Sequence, residues 1–73
     1  MSEIKEKFGE RLRELRKERG LSQEMLSKKA GLDRTYEGKI ERGQKSPSLN
    51  TIGKLAKALE IGLDELFNFD LEE

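Results

Sequence analysis

The 73-residue sequence has no cysteine, no histidine and no tryptophan, and its formal net charge is zero. Without cysteine there is no disulfide and no thiolate chemistry. Without histidine as well, a transition-metal site would have to use carboxylates alone, so no metal and no cofactor is expected. No apolar run approaches the ~20 residues that span a bilayer. The first ten residues, MSEIKEKFGE, lack the apolar core of a signal peptide. A cytoplasmic protein without membrane contact is therefore expected. There is no nucleophile–base set and no phosphate loop, so no enzyme activity and no small-molecule ligand is evident. Carboxylates such as Asp64 and Glu65 are first-turn residues that favour a helix dipole.

What remains is sparse but ordered. The length suits one small domain, residues 1–73, whose limited core needs good packing or oligomerisation. Only 33% of residues are hydrophobic and 41% are charged, yet the apolar residues are regularly spaced, which argues against disorder. The zero net charge hides an uneven distribution. Residues 16–48 carry nine basic and five acidic side chains, whereas residues 49–73 carry two basic and six acidic. Positive charge in the middle third is the kind of footprint that nucleic acid selects.

That middle third has a definite periodicity. Ser22 is a good N-cap for a helix whose inner face is Leu26 and Ala30, with Met25 partly exposed. Gly31 can take the left-handed conformation that ends it. Leu32 pins the turn. Asp33 caps a second helix, Arg34 to Arg42, stopped by Gly43. Two short helices across a tight turn containing glycine make a helix-turn-helix. The outer side of the second helix carries Arg34, Thr35, Tyr36 and Lys39, side chains able to bond base edges and phosphates.

The flanks read as helices too. Ile4, Phe8, Leu12 and Leu15 form one stripe of a first helix from about Ser2 to Arg19. Gly20 ends it and Leu21 folds back. Gln44 to Pro47 is a polar loop. Ser48 caps a fourth helix, Leu49 to Leu59, with Ile52, Leu55, Ala56 and Leu59 facing inward and Gly53 costing about 1 kcal/mol. A fifth helix runs from about Leu63 to Asn68, before the tail Phe69 to Glu73. The fold class is all-α, a compact five-helix bundle. Its expected core is Phe8, Leu12, Leu15, Leu21, Leu26, Ala30, Leu32, Ile40, Leu49, Ile52, Leu55, Leu59, Ile61, Leu66 and Phe67.

The blocks FGERLRELRKERGLSQ, AGLDRTY, IERG, PSL and LAKALEIGLDELF together resemble the phage repressor and Cro-like helix-turn-helix family, in order and spacing, over roughly Phe8 to Phe67. LDRTY followed by IERG also resembles, more weakly, the controller proteins of restriction–modification systems. The resemblance implies a repressor-like bundle that binds double-stranded DNA, with the second motif helix in the major groove and the preceding helix against the backbone. Arg34, Thr35 and Lys39 then occupy base-facing positions, and Arg34 has the planar fork that reads guanine. Gln23, Tyr36, Arg42 and Lys45 fall where the family grips the DNA backbone. Arg16 and Glu41 match an ion pair that locks the first helix to the reader helix.

One position departs from that pattern. Relatives resembling this chain carry Ile or Val where Glu37 stands, a place that packs the two motif helices together. Glu37 and Glu41 are also at the repulsive i,i+4 spacing. A buried Glu37 without a basic partner would hold its proton more tightly than usual. Two functions follow. The leading one is a sequence-specific DNA-binding transcriptional regulator acting as a homodimer on a palindromic operator. The other is a protein-interaction module of the same fold with DNA binding lost or weakened, favoured by Glu37 and the acidic final third. Phe67, Phe69 and Leu71 either build a dimer surface or finish the monomer core.

Overall fold

The computed structural model describes residues 3–71. Among them are five helices: α1 (Ile4–Glu18), α2 (Gln23–Ala30), α3 (Arg34–Glu41), α4 (Leu49–Leu59) and α5 (Leu63–Leu66). Local capping chemistry sets most boundaries. Ser22 Oγ accepts the Met25 N–H at 3.0 Å. Asp33 Oδ2 accepts from Thr35 and Tyr36 at 2.9 and 3.3 Å, and Ser48 Oγ accepts from Thr51 at 3.1 Å. Gly31 closes α2 with φ 71°, a conformation that any side chain would strain. The expected start of α1 at Ser2 and the final residues of the tail, Glu72 and Glu73, lie outside the described residues.

Helix α3 packs on α1 and α2, α2 on α4, and α5 closes against α1 and α4. Phe8, Leu12, Leu15, Leu26, Ile40, Leu55, Leu59 and Leu66 are buried at the centre, each contributing about 1.5–3 kcal/mol over the exposed state. Leu21, Leu32, Ile52, Ile61 and Phe67 surround them, half-buried. Where α1 crosses α3 the two backbones nearly touch. A Cβ placed on Gly9 would lie 2.5 Å from the Ile40 carbonyl oxygen, so only glycine allows this approach. Arg11 of α1 and Arg19 at its C-cap reach the later helices through backbone oxygens: Arg11 Nε donates to the Glu65 carbonyl and Arg19 Nε to the Leu59 carbonyl, both at 3.0 Å.

Several expectations are corrected. Leu49 is not core; it is 86% exposed. It is the first residue of α4, whose buried residues begin only at Thr51. Thr51 turns inward instead, bonded to Ser48 Oγ at 3.0 Å. Ile4, the first residue of α1, is likewise more exposed than buried. Ala58 joins the core although it lay outside the expected stripe. Helix α3 ends at Glu41 with Arg42 as its cap, and α5 ends at Leu66 rather than Asn68, where Phe69 N–H turns back to the Phe67 carbonyl at 2.8 Å. The Phe67 ring stacks at 5.1 Å from Phe8 and 6.0 Å from Phe69. Phe67 and Phe69 therefore finish the core, and Leu71 alone of the three stands out, 53% exposed.

Candidate nucleic-acid interface

The turn between α2 and α3 sets the N-terminal end of α2 beside the outer face of α3. An open depression of about 300 Å3 lies there, lined by Gln23, Arg34, Thr35, Gly38 and Arg42. Its lining is rich in donors and carries no carboxylate. Arg34 and Thr35 are exposed at the leading end of α3, and Arg42 is exposed at its far end. The Arg42 guanidinium folds back over Gly38, 3.1 Å from where a Cβ would sit. Arg34 also lies 3.8 Å from Glu24 of α2, an exposed pair of small energy.

The two helix starts differ as anion sites. Asp33 already occupies the first amides of α3 with its own carboxylate. At α2, Ser22 satisfies only Met25, and helix geometry leaves the preceding N–H groups facing outward, where an anion is favoured. Gln23 sits on this turn. Its Nε2 donates to Glu41 Oε1 at 3.1 Å, and the amide keeps a second N–H for an outside acceptor.

The remaining candidates spread away from the depression. Lys39 is half-buried and Lys45 is exposed on the loop after α3. Tyr36 is less outward than its helical position suggests. It is half-buried against the core, with its hydroxyl 3.5 Å from Thr51 Oγ1.

Beneath the surface lies a buried polar cluster. Arg16 grips Glu41 with two bonds, Nε to Oε2 at 2.7 Å and Nη2 to Oε1 at 3.1 Å, and its Nη1 donates to the Leu21 carbonyl at 2.8 Å. One guanidinium thus ties α1 to α3 and to the turn before α2. The bond to Glu41 holds the Arg16 pKa above its usual value despite burial. Burial alone would raise Glu41, but hydrogen bonds from Glu37, Arg16 and Gln23 outweigh it and hold Glu41 below the usual range.

Glu37 is 0% exposed, and neither of its oxygens meets a donor. Burial first, then the hydrogen bond to Glu41 and that residue's negative charge, push its pKa up to about 9 against the opposing charges of Arg16 and Arg42. At neutral pH Glu37 is a carboxylic acid. In that form it has a proton to donate to Glu41, so the i,i+4 pair shares one negative charge instead of repelling. The raised Glu37 pKa agrees with the sequence expectation for a buried glutamate without a basic partner, while Glu41 as the group that receives its proton is new. The Gln23–Glu41 bond, across two helices, had no local signal.

The helix-turn-helix family matches residues 12–66. The chain is similar to Control protein C.MunI of a Mycoplasma species, 45% identical over 74 residues that cover 100% of this chain and 99% of that protein. It is similar to the immunity repressor of Bacillus phage phi105, 47% identical over 53 residues, 73% of this chain and 37% of that protein. Its fold superposes on the crystal structure of the restriction–modification controller protein C.AhdI from Aeromonas hydrophila with a TM-score of 0.83 and 58% identity, covering 85% of this chain and 94% of that one. A helix α3 with Arg34 and Lys39 on its outer side, seated by a buried Arg16–Glu41 pair, is thus set in a chain similar to an immunity repressor and to controller proteins: the chain belongs to the helix-turn-helix family of DNA-binding transcriptional regulators.

Proposed function

We propose that this chain is a sequence-specific regulator of transcription that binds double-stranded DNA as a homodimer on a palindromic operator. The observation that carries the reading is the carboxylate-free depression between α2 and α3, lined by Gln23, Arg34, Thr35, Gly38 and Arg42. A phosphate fits the amides and side chain at Gln23, and base edges fit the exposed leading end of α3. Arg34, Thr35 and Lys39 read bases. Gln23, Arg42 and Lys45 hold the backbone, and Tyr36 contributes from its hydroxyl near the start of α4. One such domain makes few base contacts, and two on half-sites about 34 Å apart restore specificity. The near full-length match to two controller proteins supports a role in controlling restriction–modification genes.

Selection of bound duplexes from a random library, followed by fluorescence titration of the selected and a scrambled duplex, tests this. Tight binding to a two-fold symmetric site, with log affinity falling linearly in log salt, is the expected result. No duplex binding at low salt removes the reading and leaves the protein-interaction module.

A further inference from the structure

Glu37 stands apart from every other carboxylate described. It is fully enclosed, both its oxygens are without donors, and it sits on the reader helix between the two helices that seat it. The groups around it are few. Helix α1 presents Arg16, and α3 itself presents Glu41, with Arg42 at its cap. Helix α2 presents the neutral Gln23 amide, held through Glu41. Arg16 is committed to Glu41 by two bonds and to the Leu21 carbonyl by a third. Arg42 attracts a charged Glu37 but bonds neither of its oxygens, so in this arrangement the charge would have no hydrogen-bond donor.

We propose that Glu37 is a positioning residue for DNA binding: as a neutral acid it shares its proton with Glu41 and seats the reader helix, and losing that proton unseats the helix and weakens duplex binding. This rests on the DNA-binding reading above. The route is short. Two adjacent buried carboxylates relax either by drawing the Gln23 amide away from Glu41 or by rolling α3 outward until Glu37 meets water. The first moves a wall of the depression, and the second moves Arg34, Thr35 and Lys39 together. Either way the donors that face DNA lose their arrangement.

The composition makes the effect readable. With no histidine and no cysteine, ordinary side-chain titration is silent between the carboxylates near 4 and tyrosine and lysine near 10, and only the α-amino group falls in the gap. Affinity for a labelled duplex is measured from pH 6 to 9.5 at constant ionic strength for the parent, Glu37→Gln and Glu37→Ile. Circular dichroism at each pH reports the folded fraction. The amide of Glu37→Gln can donate to Glu41 without titrating. The α-amino group and the lysines are common to all three chains and cancel in the ratio. Relative to Glu37→Gln, the parent is expected to lose about fourfold in affinity between pH 7 and 9.5, as a proton-linked equilibrium centred near 9 requires. Carbon-13 NMR of the labelled glutamate carboxyls should show one midpoint near 9 that is missing from both variants.

Parallel pH profiles for parent and Glu37→Gln overturn the inference, as does a loss that matches the unfolded fraction. A Glu37 carboxyl titrating in the ordinary glutamate range overturns it without touching the DNA-binding reading. Failure of all three chains to bind duplex at pH 7 and low salt overturns both.

Discussion

The two sides of α3 hold charged residues under opposite terms. On the outer side, Arg34, Arg42 and the neighbouring Lys45 face solvent, and the one ion pair there, Arg34 with Glu24, spans 3.8 Å. On the inner side, Arg16, Glu37 and Glu41 are buried and share one set of hydrogen bonds. Outside, a charge is screened and can be exchanged at little cost to folding. Inside, removing one member strands another. On the proposed DNA-binding reading, a single eight-residue helix separates binding from stability by face, and substitution on each side should move a different measurement.

The largest effect is expected inside. Arg16→Met leaves Glu41 with only the Gln23 amide and the Glu37 acid, and leaves the Leu21 carbonyl without its donor. Urea denaturation should show a loss of about 3–5 kcal/mol. A loss below about 1 kcal/mol would mean the pair is no more than a surface bridge.

Glu37→Ile should act in the opposite direction, stabilising the domain by roughly 1–3 kcal/mol at pH 7 by replacing an enclosed acid with a packed side chain. The pH dependence follows from the raised folded pKa of about 9 against the ordinary glutamate value of 4.5. The stability that the parent gains from holding this proton is complete below the unfolded value and fades as pH rises through the folded one. The advantage of the variant should therefore widen steadily from pH 5 to pH 9 and then level off. At pH 7, where the neutral Glu37 already seats α3, the same change should leave DNA binding close to the parent's, with an advantage that opens only as pH approaches 9. A constant difference between the two denaturation curves across that range would show that Glu37 reaches water.

Outside, Arg34→Ala should cost about 1–3 kcal/mol of binding to the preferred duplex and relax selection at one base pair, while the urea midpoint stays close to the parent's. If selected and scrambled duplexes weaken equally, Arg34 holds phosphate and reads no base. Lys45→Ala should do least. It is expected to weaken all duplexes alike and to lower the slope of log affinity against log salt by about 1, with no change in preferred sequence. An altered preference would move Lys45 from the backbone set to the base-reading set.

The elements most legible in the sequence were those set by neighbours in the chain. Ser22, Asp33 and Ser48 cap helices through atoms two or three residues away, and Gly31 ends one through its own φ. Residue type at such positions carries the geometry directly. Leu49 was misplaced because a helical stripe gives the direction of a side chain but not where along the helix burial begins. Gly9 has no reason that its neighbours in the sequence supply. Its reason, the Ile40 carbonyl 2.5 Å from a Cβ that is not there, belongs to an element thirty residues on. The same holds at the candidate site. The exposed donors of α3 follow from its periodicity. The Gln23 bond to Glu41 and the inward turn of Tyr36 toward Thr51 depend on how separate helices meet.

The grip of Arg11 and Arg19 on the carbonyls of Glu65 and Leu59 has a consequence of another kind. A carbonyl oxygen is present whatever residue supplies it. The attachment of the final third to the first helix thus rests on the packing of Leu59 and Leu66 and on two hydrogen bonds that do not depend on side-chain identity. Asp64 takes no part in the anchor and could be replaced without loosening it, whereas Glu65 lies 4.0 Å from Arg19 Nη2 and adds an exposed ion pair of small energy. A change of charge on the solvent-facing side of α5 would therefore cost the attachment one screened ion pair at most and neither carbonyl bond.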